Sequence, residues 1–246
     1  MYSDYRRRQA GILLAAATSI VPEPGFAYRP FESTDADVTD ANELEIELGY
    51  FTFERFRQED AATIPQFVLN YGLTDSLELI GEFEIVKPEH GHGEVEDAGL
   101  FLKKLFRRGV LQDEDGLSIA LEGGFLLPAH GAEHAGLEAI GIVSGQAGPV
   151  TYHIDVGGGL DRIDKLQFGV WGAILEYPVT SRIRIAGEIS GEKVHGEPKE
   201  SSVLIGLIYE SPSTGNSFDA GFRRGITSAA PDWQVTFGWT FSYPRP

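Results

Sequence analysis

The sequence predicts an all-β protein, an antiparallel transmembrane β-barrel of about 12 strands. Short runs along most of the chain alternate apolar with polar residues. No run reaches the roughly 18–20 uninterrupted apolar residues that a membrane-spanning helix needs. Thirty glycines and 11% aromatic residues suit a sheet protein with many turns.

The first element reads as an address. Arg6, Arg7 and Arg8 precede the apolar stretch GILLAAATSIV, and Gly25-Phe26-Ala27 offers small residues at a cleavage position. Residues 1–27 are therefore expected to be a signal peptide. Without them the chain keeps 17 basic and 35 acidic residues, a charge of −18 against −17 for the whole. That balance excludes nucleic acid, whose recognition needs a basic face. The absence of cysteine rules out disulfides, thiolate metal sites and thiol nucleophiles, and fits passage through an oxidising periplasm. Residues 28–42 are expected to form a periplasmic segment ahead of a barrel spanning 43–246.

Twelve strands follow, over 43–56, 63–72, 76–87, 98–107, 117–127, 135–144, 149–160, 165–177, 181–192, 201–211, 216–224 and 233–243. Each matches or slightly exceeds the roughly 9–11 residues of a tilted strand crossing a bilayer, and their number is even, as closure of such a barrel requires. The first alternates Leu44, Ile46 and Leu48 with Glu43, Glu45 and Glu47. The third sets Leu77, Leu79, Phe83 and Ile85 against Glu78, Glu82 and Glu84. The seventh sets Tyr152, Ile154 and Val156 against Thr151, His153 and Asp155, and its VGGGL run relieves crowding rather than cradling phosphate. The ninth alternates isoleucines with Arg182, Arg184 and Glu188. In the last, WQVTFGWTFSY, aromatic residues fall where a bilayer interface takes them.

The connections sort by side. LTDS, SGQAG, PVTS and SPSTGN are short, with RGVLQDEDG the one long link among them. FRQEDAATIP, KPEHGHGEVED, PAHGAEHAG, DRIDK, EKVHGEPKE and ITSAAPD lie opposite, mostly longer and charged. Short periplasmic turns against longer external loops is the asymmetry of outer-membrane barrels.

The stretch RPFESTDADVTDANELEIELGY, with NYGLTDSLEL and LEYPVTSRIRIAGEI, resembles the outer-membrane transporter family labelled meta-pathway of phenol degradation. The resemblance covers residues 29–243 and implies a transport role for small organic compounds. The end of the last strand, Gly238-x-x-Phe241-x-Tyr243, also resembles the signal read by the barrel-assembly machinery, although Pro244, Arg245 and Pro246 follow it.

Turned outward, the apolar faces meet lipid, and the charged faces meet across a wet lumen. The expected lining, and so the solute pathway, comprises Glu78, Glu82, Glu84, Lys103, Arg107, Glu122, His153, Asp155, Arg182, Arg184, Glu188 and Arg223. Its acidic excess predicts a weak preference for cations. His90, His92, His130, His134 and His195 fall in loops without a complete ligand set, so no metal and no cofactor is expected. The function these features predict is passive passage or binding of small solutes, aromatic or hydrophobic ones among them, in the bacterial outer membrane. Its partners are then the lipid bilayer, the assembly machinery and the solute. An enzyme of phospholipase type would need a serine placed against a histidine, with Ser144 and Ser190 as candidates for His153. A closed structural barrel, its lumen filled by ion pairs, is the third reading.

Overall fold

The computed structural model describes residues 29–243 apart from 57–58, 89–91, 129–133 and 213. The expected signal peptide and His90 and His130 lie outside the described residues. Twelve strands follow in order: β1 Leu44–Phe56, β2 Glu59–Thr74, β3 Leu77–Pro88, β4 Glu94–Arg107, β5 Ser118–Leu126, β6 Gly136–Ala147, β7 Val150–Leu160, β8 Gln167–Pro178, β9 Ile183–Val194, β10 Glu200–Glu210, β11 Ser217–Gly225 and β12 Trp233–Tyr243. Each pairs antiparallel with its neighbours in the chain. β12 returns to β1, with Leu44 opposite Tyr243, so the sheet has no edge. Closure leaves no row of backbone donors and acceptors facing lipid.

β2 and β4 begin earlier than the sequence suggests, so that strand takes most of the expected loop 56–65 and the last four residues of the expected loop 87–97. Pro65, which reads as a strand breaker, sits where the register shifts between Thr63 and Gln66. A bulge tolerates its missing N–H, and the ladder resumes beyond it. There Asp60 faces Arg55 and takes both its Nε and Nη2 donors, at 2.6 and 2.7 Å.

A second bulge, between Gly49 and Phe51, changes which face β1 presents. Glu45 and Glu47 point inward before it, and Thr52 points inward after it. Phe51 and Phe53 therefore share the outer side, where their rings stack 6.3 Å apart and Phe53 meets Trp233 at 5.4 Å. At the other end of β12, Trp239, Phe241 and Tyr243 form a chain of rings with centroids 4.6 and 5.3 Å apart. Aromatic anchors thus stand at both ends of the last strand.

Between these ends the outer face is apolar and bare. Val156 is 65% exposed and Ile205 63% exposed, side chains that a water-soluble fold would bury. The inner face holds Glu47, Glu78, Lys103, Asp155, Glu188 and Arg223, all buried. A chain with its charges inside and its aliphatics outside is soluble in lipid, not in water.

Ile205 lies at the centre of β10, so Ile205→Arg should cost roughly 2–4 kcal/mol of stability in lipid, by the midplane penalty for a cation. Urea unfolding in phospholipid vesicles measures this. Ile205→Val should unfold close to the parent midpoint, and an Arg variant equally stable would contradict the outward face.

Candidate functional site: a collar and a cavity within the lumen

Residues 28–42 are expected in the periplasm, and the structure, which describes them from residue 29, places them inside the barrel. The segment leaves the start of β1 and circles the inner wall as a collar. Asp40 approaches Gly72 on β2, and the Thr39 hydroxyl donates to Glu78 on β3 at 2.8 Å. The Ala36 N–H donates to the Ser144 hydroxyl on β6 at 3.0 Å, and the Thr34 N–H to Asp155 on β7 at 2.5 Å. The N–H groups of Glu32 and Ser33 both reach Glu188 on β9. Arg29 ends the circuit, donating to Gln66 on β2 and, at 2.6 Å, to Thr236 on β12, with Asp219 of β11 at 3.7 Å.

The collar stays because a buried backbone donor must find an acceptor, and the wall supplies carboxylates and hydroxyls where the sequence alternation puts them. Charge fixes it at two further points. Arg223 on β11 reaches Glu188 at 2.6 Å and Glu32 of the collar at 3.1 Å. Lys103 on β4 donates to the Thr34 hydroxyl at 3.1 Å and lies 3.8 Å from Asp35.

Glycines in the wall make the room. A Cβ on Gly172 would overlap the Ser33 side chain, and one on Gly206 or Gly221 would press on Pro30 at 3.0 and 3.1 Å. At Gly238 and Gly49 it would meet Arg29, and at Gly72 the backbone of Thr39 and Asp40. RGVLQDEDG, the one long link on the short side, now has its reason. Its single 3-10 turn, Val110–Gln112, folds under the collar, and Gln112 donates to Asp37 at 2.8 Å. Leu111 packs with Ala36, Ala120 and Ile142.

Of the expected lining residues, Glu78, Glu82, Glu84, Lys103, Glu122, His153, Asp155 and Arg184 border the remaining cavity. Glu188 and Arg223 point inward but are spent on the collar. Arg107 and Arg182 do not line it. A register shift between Leu105 and Arg107 turns Arg107 out toward Gly116, and Arg182 stands exposed in the turn before β9. His153 does meet a serine, with Ser144 Oγ 2.8 Å from its Nδ1 and Glu176 3.8 Å from Nε2. Ser144 is wholly buried beneath Ala36, facing neither lipid nor solvent, so the pair acts as an anchor for the collar. Arg184 bridges Glu176 at 3.0 Å and Glu210 at 2.7 Å.

The cavity above and beside the collar measures about 1150 Å³. Among the described residues, 20 carboxylates and five basic side chains line it. Apolar groups interrupt them: Ile80, Phe101 and Leu126 cluster on the inner wall with Val68 and Phe168. Among the described residues no group of three side chains could hold a metal ion.

The barrel is similar to outer-membrane channels. An outer membrane channel from Pseudomonas putida F1 superposes with a TM-score of 0.59 at 11% identity, over 87% of this chain and 100% of that one. The NanC porin superposes with a TM-score of 0.58 at 8% identity, over 80% of this chain and 98% of that one. These likenesses are of fold. No family model and no curated protein matches the sequence.

Two outcomes are expected of the collar. The chain has no cysteine, so Ala36→Cys gives a single thiol that docking protects. Adding Gly172→Val should raise its maleimide labelling rate about tenfold or more, because local opening then exposes it. Gly187→Val, on the outer face where a Cβ meets nothing closer than 3.7 Å, should leave the rate unchanged.

The second outcome concerns pH. Burial, and then the charge of Asp35, push the Asp37 carboxyl up to about 6 from 3.8. Burial raises Asp35 too, against the pull of Lys103. An acid whose pKa rises on docking holds its proton more tightly when docked, so docking is favoured below pH 4 and weakens as pH climbs toward 6. A spin label at Val38→Cys should gain mobility over that range, and gain less in an Asp37→Asn background.

Proposed function

We propose that the protein is a passive channel of the bacterial outer membrane for small solutes, neutral or cationic before anionic. The observation that carries this reading is the carboxylate excess around a confined cavity inside a lipid-facing wall. A low-dielectric wall focuses the field of such a lining, which raises the local concentration of cations and repels anions. The collar narrows the passage without filling it, so the solutes are small. The apolar cluster on the inner wall supports aromatic or hydrophobic solutes among them. That combination agrees with the transporter family labelled meta-pathway of phenol degradation, which the N-terminal motifs resemble. The terminal strand closing on Phe241 and Tyr243 supports insertion by the barrel-assembly machinery.

Reversal potentials in planar bilayers under a KCl gradient test the reading. The unmodified protein should conduct with cation preference. Glu82→Gln with Glu84→Gln should reduce that preference, more at low salt where screening is weak. Clear anion selectivity, or a barrel that passes no ion or solute, would overturn the proposal.

A further inference from the structure

The inner wall of a water-filled barrel has no solvation reason to be apolar, yet one sector of this wall is. Ile80 on β3, Phe101 on β4 and Leu126 on β5 form a buried cluster, with Val68 on β2 and Phe168 on β8 packed against it. All five also border the cavity. The Phe101 ring is accommodated by missing side chains. A Cβ on Gly99 or on Gly124 would overlap it, so the ring lies over bare backbone and keeps one flank on the cavity.

The charges beside this patch are mainly acidic. A Cβ on Gly99 would also lie 2.9 Å from Glu82 Oε1, so that carboxylate shares the space over Gly99 with the Phe101 ring. Glu122 lies on β5, two residues from Gly124 and opposite Ile140. Glu138 on β6 faces Gly124 directly across the ladder. All three carboxylates border the cavity. The basic groups nearby are committed. Lys103 faces Glu122 across the β4–β5 ladder but donates to Thr34 and lies against Asp35, and Arg162 donates to Asp97 at 2.9 Å and to the carbonyls of Ala98 and Leu127.

We propose that this patch is a binding site for an organic ammonium ion with an aryl or short alkyl body, the ring or chain on Phe101, Ile80 and Leu126 and the ammonium among Glu82, Glu122 and Glu138. The choice of occupant follows from charge complementarity. A neutral apolar solute would cover the patch but leave the carboxylates as they are. An organic anion would bring like charge into a low-dielectric space, which costs energy. An inorganic cation would answer the carboxylates and leave the rings wet. A cationic arylalkyl group answers both, and the ring of Phe101 adds attraction for the cation itself. The site lies on the pathway of the proposed channel and deepens that reading by naming a substrate class.

The test is direct binding to the full-length barrel in detergent, which needs no transport. Calorimetry at constant ionic strength compares 2-phenylethylammonium with 2-phenylethanol, phenylacetate and ammonium. Saturable binding of the arylalkyl ammonium is expected, at least tenfold tighter than any of the other three. Glu82→Gln and Glu122→Gln should each weaken it about tenfold, and Phe101→Ala should weaken it while leaving ammonium unaffected. Circular dichroism and heat-modifiable migration identify any variant that misfolds, and the remaining variants decide the matter. Equal binding of phenylacetate, equal binding of plain ammonium, or binding indifferent to all three substitutions would overturn the site. If the barrel binds the ammonium but conducts nothing, the site stands and the channel reading falls. If it conducts with cation preference but binds no arylalkyl ammonium, the reverse holds.

Discussion

A peptide group in hydrocarbon has no water to bond, and each one left unsatisfied costs several kcal/mol. A sheet meets this constraint only by closing on itself, and here the closure is the pairing of β1 with β12 from Leu44–Tyr243 to Arg55–Trp233. Everything else in the molecule follows from that ring. Closure fixes an inside and an outside, and the two-residue period of the strand then assigns every side chain to one or the other. Where the chain must change assignment it inserts a bulge, as at Gly49–Phe51, so that two phenylalanines can join the lipid face without breaking the ring.

The inside then poses its own problem. Twelve strands enclose more space than their inward side chains fill, and the inward side chains are charged. Carboxylates gathered in a narrow lumen repel one another and resist desolvation. The collar answers part of this. It brings backbone N–H groups to Glu188, Asp155 and Ser144, and brings Arg29 to a wall sector with Asp219. Acceptors that lone water would otherwise solvate become the docking points of a second layer. The carboxylates that the collar does not reach, Glu82, Glu84 and Glu138 among them, keep the field that it does not neutralise.

How much of this was legible can be judged from particular residues. The twelve strands, their facing and their closure were legible because alternation is local: Leu77-Glu78-Leu79 carries its own assignment. The early starts of β2 and β4 were not, because Pro65 and the run of polar residues before it imitate a loop, and only pairing with β1 and β3 reveals a strand. Arg107 and Arg182 were misassigned for a related reason. Parity counted along the chain fails at a register shift or past a strand end, and neither leaves a mark in the sequence. The collar was hidden most completely. Its polar, proline-containing sequence is that of an exposed linker, and its seat is encoded in glycines on separate strands that lie together only once the barrel closes.

Those glycines also bear on whether the barrel is a plug or a pore. A wall that merely tolerated an occluding segment would have no need to thin itself along the segment's whole path. Gly172, Gly206, Gly221, Gly238 and Gly72 recess the wall beneath the collar, so the segment lies against the barrel and not across it. The inward glycines Gly99 and Gly124 do the same for the Phe101 ring on the opposite arc. Backbone is therefore bared where something must fit flat, first the chain's own N-terminal segment and then an aromatic side chain. A lumen built to be closed by ion pairs would place bulk at these positions, whereas this one removes it and leaves a cavity of about 1150 Å³.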